Sequence, residues 1–480
     1  MMNSGASLVL LAITTGLAPA CSHAKPQAQG EFVTEALPGT FTQATSLRFA
    51  SDADMLVTEK AGLVWDVRNG AKRATPVIDL QQEVLNNGDR GLLTVAADPH
   101  WATNGYIYLL YVVDPNGDGI DDDVETFGRL TRFTTSFDST GDLIADPDSR
   151  LVLIGATWPE GLPSLHLTHS GGDVRFASDG SLFVSTGDGG HYDLTDAGGF
   201  DPNGFGPGKF DDSEDIGAFR AQSMTSLAGK ILRIDPATGL GLADNPFFTG
   251  TAADHASRIW ALGLRNPFRF CLVPGTGPIE QLYICNVGWE TWEAVDACRG
   301  GENFGWPCNE GPAVQTSYSD IDLLGDCDDP SLFTPPLWCY HHYKYVPPMS
   351  PDFVGQCTTG ACIYTGTEYP SMYLGRVFLC DYESDWIRSL VAIGGVATRS
   401  DRFVTNADHP VDITPDPVNG DLLYSALTAD AIRRIRYTKR RIIREWRSRP
   451  SRRRSVRRRS TCRSTRLDPH PEGMVRRNDI

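Results

Sequence analysis

The chain has 480 residues, with 43 Lys plus Arg against 60 Asp plus Glu and a formal charge of −17. Residues 438–480 hold 16 basic and four acidic side chains, a local +12, so the preceding 437 residues carry −29, which repels phosphate backbones and excludes nucleic-acid binding by the folded part. A hydrophobic content of 41% excludes a disordered chain, the lack of an apolar run of about 18 residues beyond the N-terminus excludes helical membrane spans, and 48 Gly with 31 Pro favour short strands and turns over long helices.

In chain order, Leu8-Val9-Leu10-Leu11-Ala12-Ile13 opens an apolar stretch that ends in Ala18-Pro19-Ala20-Cys21. It has the length of a secretory signal core and is too short to span a bilayer, so residues 1–21 are expected to be a signal peptide. Ala20-Cys21 also matches the end of a lipoprotein signal, with Cys21 as the lipid-anchored residue. Export to the periplasm, cell surface or medium follows. The cysteines agree with an oxidising compartment: nine of 11 fall between Cys271 and Cys380, without a CxxC pair, which disfavours a zinc ribbon. The segments Cys357-Thr-Thr-Gly-Ala-Cys362 and Cys298 to Cys308 are the expected disulfide loops, although the spacing leaves the pairing open.

From residue 46 onward the chain repeats itself. Residues 46–67, residues 172–190 completed by 229–235, and residues 411–437 each run as alternating strand, Asp-rich turn, strand, Gly-containing turn, strand. Residues 91–133, 259–295 and 362–390 follow the scheme more loosely. Six units at spacings of roughly 45–80 residues predict an all-β chain, a six-bladed β-propeller with long inter-strand loops over residues 31–437. Residues 31–35 would close the ring against residues 431–437. Propeller sites lie on long loops at one mouth of the channel, here 114–125, 189–219 and 313–354.

Within the first of these loops, Asp114-Pro-Asn116-Gly-Asp118-Gly-Ile120-Asp-Asp122-Asp-Val-Glu125 fits the spacing of a calcium loop. Carboxylate or amide oxygens stand at positions 1, 3 and 5, the Ile120 carbonyl at 7, Asp122 at 9 and Glu125 at 12. The flanks read as strands, so the expectation is a Ca2+-stiffened hairpin with a role in stability; the bland alternative is a solvated acidic turn. Next, His169 sits in Thr168-His-Ser-Gly-Gly-Asp173, where an imidazole beside flexible residues can act as a general base or simply bond its neighbours. Arg265-Asn266 precedes Pro267 at a strand end and can offer a fork and an amide to a ligand, or pin a turn.

Beyond residue 437 the chain is basic. Residues 438–480 show no apolar face and are expected to form a disordered tail, solvated or in contact with anionic lipid or polysaccharide.

Together, Gly91-Leu-Leu93, His169-Ser-Gly-Gly-Asp173, Ser185-Thr-Gly-Asp-Gly-Gly190, Leu264-Arg-Asn-Pro267 and Gly301-Glu-Asn-Phe-Gly-Trp-Pro-Cys-Asn-Glu-Gly311 resemble the glucose/sorbosone dehydrogenase family. That family includes soluble dehydrogenases dependent on pyrroloquinoline quinone (PQQ) and the propeller of Hedgehog-interacting proteins. The resemblance spans about residues 35–437. It implies oxidation of an aldose at C1, with His169 as the general base and hydride transfer to PQQ, which a calcium ion polarises. It places Arg265 and Asn266 on the quinone's oxygens, and the carbonyls of Gly288 and Trp289 on the cofactor's calcium. The substrate is a small sugar, and the electron acceptor is not named by the residues.

The chain departs from the family pattern at several points. Thr168 replaces the acid that precedes the base, so another group must orient His169. Asp89-Arg90 stands where a glutamine-like residue is usual. Glu383 falls near a cofactor-binding lysine, and His409-Pro-Val411 near an arginine pair. Arg90 and Lys344 are the candidate substitutes for these cations. The alternative reading is therefore a non-catalytic propeller that binds a glycan or a protein. A calcium-dependent lactonase is a third class, to which these segments do not point.

Overall fold

The computed structural model describes residues 30–343 and 353–439. The expected signal peptide, Lys344 and nearly all of the basic tail lie outside these residues. Within them, period-2 apolar alternation and closely spaced Gly and Asp turns give six four-stranded antiparallel sheets, two of them with a short fifth strand. Blade 1 is Ala44–Phe49, Asp54–Glu59, Leu63–Arg68 and Ala71–Lys72, and blade 2 is Leu92–Ala97, Tyr106–Val112, Thr126–Phe137 and Leu143–Ile154. Blade 3 is Val174–Phe176, Leu182–Thr186, Lys230–Ile234 and Ile259–Ala261. Blade 4 is Asn266–Val273, Gln281–Val287, Trp292–Cys298 and Trp338–His341. Blade 5 runs from Thr358–Ile363 through Val377–Asp381 and Trp386–Ile393 to Val396–Thr405. Blade 6 comprises Pro410–Pro415, Leu422–Ala426 and Ala431–Lys439, completed by the first described strand, Gly30–Ala36.

That last pairing closes the ring. Phe32 stands opposite Tyr437 and Ala36 opposite Arg433, and the Phe32 ring packs edge-on against Tyr369, Tyr373 and Phe403 at 4.6–5.3 Å. The final strand runs on to Lys439, so Thr438 and Lys439 belong to the propeller and not to the tail.

No central core exists, because each sheet buries both faces against its neighbours. The apolar residues divide instead into seams between blades. Examples are Leu56 and Val64 with Val95 and Ile107, Tyr108 with Val174 and Leu182, and Phe183 with Phe270 and Ile284. The ring continues with Val295 against Leu379, Ile387 against Ile413, and Leu47 against Leu423. Among the described residues no helix is long and apolar enough to cross a membrane.

Two expectations about the repeats are corrected. Residues 259–295 are not one unit: Ile259–Ala261 is the outer strand of blade 3, and blade 4 begins at Asn266. The outer strand of blade 4, Trp338–His341, lies inside the segment read as a long loop, about 40 residues after its partner, too far for a local repeat to reveal. The disulfide loops are also corrected. The bridge is Cys308–Cys327, with Cα atoms 5.1 Å apart, while Cys298, Cys357 and Cys362 are free. Cys357 and Cys362 are separated by most of an extended strand, about 16 Å, and a disulfide tolerates about 7 Å.

On the channel axis the inner strands contribute charges, not apolar groups. Arg48 Nη2 lies 2.7 Å from Asp173 Oδ1, Arg48 Nη1 bonds Asp412, and Arg175 Nε lies 2.8 Å from Asp173 Oδ2. Arg269, fully buried, donates to the carbonyls of Gly172, Thr45 and Leu93 at 2.6–3.0 Å. Five blades are thereby tied to one another across the axis.

Candidate functional site

Inner-strand ends and short loops frame a cavity of about 430 Å³, lined by His169, Arg265, Asn266, Gly288 and Trp289, with Arg269 among its lining residues; of the three long loops, the described residues contribute only Tyr192. All five residues singled out for the base and the cofactor therefore meet at one place, although they come from three separate stretches of sequence.

His169 has φ +57° and is followed by Gly171 and Gly172, also at positive φ, so the segment turns sharply before blade 3. Its carbonyl lies against Gly187, where an added Cβ would come within 1.9 Å; only glycine allows this approach. The approach brings Asp188 beside the imidazole. Asp188 Oδ1 lies 2.8 Å from His169 Nδ1 and accepts the Gly190 amide at 2.9 Å, while Oδ2 accepts Trp306 Nε1 at 2.7 Å. His169 is 3% and Asp188 1% exposed. Burial, aided by the nearby Arg265 guanidinium, holds His169 below the ordinary imidazole value, with Asp188 opposing. Burial works against the ionised Asp188, but His169 and Arg265 keep its carboxyl below the usual range. The group that orients the imidazole is thus Asp188. It stands within the quoted Ser185–Gly190 stretch, but nothing in sequence distinguishes it from other loop aspartates.

Arg265 and Asn266 are fixed through their backbone: both amides donate to Asn286 Oδ1, at 3.1 and 3.2 Å, and Asn286 Nδ2 donates to buried Asp296 at 3.1 Å. Burial pushes the Asp296 carboxyl up to about 7. The Arg265 guanidinium lies 5.6 Å from the Trp306 ring centre and donates from Nη1 to the Gly288 carbonyl at 2.5 Å. Its buried Nε has no partner among the described residues, while the residue itself lines the cavity.

The turn at Gly288 and Trp289 is built by Glu310, from the Gly301–Gly311 stretch. One carboxylate oxygen, Oε1, accepts the amides of Trp289, Glu290, Thr291 and Trp292 at 2.8–3.0 Å. Glu310→Ala removes the common acceptor of four amides. Stability is expected to fall by about 2–4 kcal/mol, with a change in the Trp289 and Trp292 fluorescence; denaturant unfolding monitored by tryptophan emission checks this.

Asp89, Glu383 and Lys60 also line the cavity, Lys60 as a further cation. Lys60 Nζ donates to Asn86 Oδ1 at 2.6 Å; burial lowers its pKa, while Asp89 and Asp121 oppose. Arg90, a candidate substitute cation, is fully buried on the carbonyls of Ser164 and Leu165 and is not among the residues lining the cavity. Val411 of the His409-Pro-Val411 stretch does line it.

The acidic loop of blade 2 behaves differently. As expected, it joins two strands, Tyr106–Val112 and Thr126–Phe137. Its carboxylates, however, turn to nearby amides. Asp114 accepts from Asn116 and Gly119, Asp118 from Ile120, and Glu125 from Asn203 across the surface. No three of Asp114, Asp118, Asp122 and Glu125 gather within 4.8 Å.

A family model for glucose/sorbosone dehydrogenases matches residues 41–417. Two Arabidopsis thaliana proteins, HIPL1 and HIPL2, are each 28% identical, over 72% and 56% of this chain and 50% and 40% of their own lengths. The chain thus spans at most about half the length of these curated relatives. The crystal structure of the PQQ-bound aldose sugar dehydrogenase of Streptomyces coelicolor superposes with TM-score 0.58 at 18% identity, covering 86% of this chain and 100% of that one. At that identity the likeness is one of fold.

Proposed function

Because the chain belongs to the glucose/sorbosone dehydrogenase family, we propose that it oxidises an aldose sugar at C1 with PQQ and Ca2+ bound in this cavity. The observation that carries the reading is the buried His169–Asp188 pair at the cavity wall, since a protein that only binds has no need of an oriented, neutral imidazole there. PQQ, when bound, supplies the hydride acceptor.

The residues present fit that group. The cavity has the size of a small-molecule site. Arg265, Asn266 and Lys60 offer donors to its oxygens and carboxylates, and the carbonyls of Gly288 and Trp289 offer main-chain oxygen ligands to calcium. His169 is tied at Nδ1, which leaves Nε2 to take the proton of the sugar's anomeric hydroxyl. Asp188 keeps the proton on Nδ1 before the step and stabilises the imidazolium after it. Burial, and after it Arg265, disfavour that imidazolium, which favours the neutral base before the step.

Glu383 and Asp89 oppose a cofactor with three carboxylates. Glu383→Lys is expected to tighten PQQ binding about tenfold, measured by calorimetric titration. These acids and the likeness to HIPL1 and HIPL2 favour the second reading, a glycan- or protein-binding propeller. Refolding with PQQ and calcium, followed by assay of aldoses with an artificial electron acceptor, separates the two: turnover supports the dehydrogenase, and absence of both turnover and cofactor binding supports the binder. The Cys308–Cys327 bridge supports an exported protein.

A further inference from the structure

Immediately after Gly190 the chain enters a loop that returns three metal-ligating side chains to one point. One ligand atom each of His191, Asp196 and Asp201 lies within 4.8 Å of the others. We propose that these three residues bind a single first-row divalent cation of the zinc or manganese class, at a site separate from the sugar cavity.

The site is already built. Asp196 is 1% and Asp201 8% exposed. Asp196 is fixed by its amide on Tyr318 Oη at 2.9 Å and by its carboxylate on the amides of His191 and Gly198 at 3.1 and 3.0 Å. Each of these oxygens keeps a second lone pair for a cation. Asp201 Oδ1 lies 3.1 Å from His191 Nε2, close to the edge of about 3.3 Å between two ligands of a tetrahedral zinc. Its other oxygen, Oδ2, has no hydrogen-bond partner among the described residues.

Two carboxylates this close in a buried place need a counter-charge. The nearest cation, Arg220, spends its guanidinium on the carbonyls of Asp188, Gly189 and Glu214. The His191 ring lies tilted against the His166 ring, centroids 4.0 Å apart, which fixes its orientation. The imidazole favours zinc over calcium and magnesium, while the two carboxylates also suit manganese. The consequence for the cavity is local: Tyr192, next to His191, lines it, and the Tyr192 carbonyl accepts Trp289 Nε1 at 2.7 Å.

The test uses the full chain, purified without a histidine tag, stripped with chelator and free of PQQ, so that it is independent of the dehydrogenase reading. Zinc is titrated with calcium in excess, and bound zinc is counted by mass spectrometry after gel filtration. The expected result is about one equivalent per chain, with affinity about 100-fold weaker in Asp201→Asn and His191→Gln and unchanged in Asp118→Asn. Far-ultraviolet circular dichroism shows that the variants keep the sheet. No retained zinc in the wild type, or equal retention by folded Asp201→Asn, overturns the proposal.

Discussion

Asp188→Asn is expected to lower aldose turnover of the PQQ- and calcium-loaded protein by about 10²–10⁴-fold while leaving PQQ affinity within a few-fold of wild type. The reason lies in what each oxygen of Asp188 accepts: Oδ1 takes His169 Nδ1 and the Gly190 amide, and Oδ2 takes Trp306 Nε1. An asparagine has one acceptor for these two positions. If its amide nitrogen faces Trp306, two donors meet. If it faces His169, the imidazole proton moves to Nε2 and the base is lost. His169→Asn should cost a similar factor, and the double variant should lose no more than either alone, because the pair acts as a unit. Burial and Arg265 hold His169 below its ordinary value of 6.5, so kcat/KM of the wild type should rise with pH along a limb lying below 6.5. Removing the opposing Asp188 charge moves that limb lower still. A merely structural Asp188 would leave the limb in place.

Asp173→Ala should destabilise the propeller by about 3–5 kcal/mol, the cost of leaving buried charges unpaired. Asp173 is fully buried and bonds both Arg48 and Arg175 at 2.7 and 2.8 Å, with Arg269 nearby. Its loss leaves three guanidinium groups, Arg48 and Arg269 buried and Arg175 partly so, to share Asp412. Denaturant unfolding measures the effect. Burial opposes the ionised form of Asp173, but Arg175, Arg48 and Arg269 outweigh it and hold the carboxyl well below the usual range. The sign follows: a depressed folded value contributes stability that is present above the unfolded value of about 3.9 and is lost as pH falls below it. Asp173→Asn should therefore flatten the acid limb of stability against pH. The exposed pair of Arg399 with Asp401 is the control, and Arg399→Ala should leave both the midpoint and the limb where they are.

The architecture was legible because a propeller repeats. Strand–turn–strand units such as residues 46–67 and 411–437 carry their register in alternating apolar residues, and both faces of each sheet are buried in seams. Ring closure by the first strand could be read from an otherwise unpaired apolar segment around Phe32. Where partners lie far apart in sequence, legibility ended: the Trp338–His341 strand and the Cys308–Cys327 bridge depend on how a long loop folds back. The site divides along the same line. His169 and the Arg265-Asn266 pair sit in contiguous motifs, whereas Asp188, Trp306, Glu310 and Lys60 act through contacts that only the closed ring creates. The Asp114–Glu125 spacing matches a calcium loop, yet spacing does not say where each carboxylate turns; Asp114 accepts the amides of Asn116 and Gly119.

The most direct test of the central claim is a single assay: aldose-dependent reduction of an artificial electron acceptor by the protein reconstituted with PQQ and calcium, wild type beside Asp188→Asn. The account predicts turnover in the wild type and its loss by at least about 10²-fold in the variant at equal cofactor occupancy. Equal rates in the two proteins, or no turnover in a wild type shown by calorimetry to hold PQQ, would contradict it.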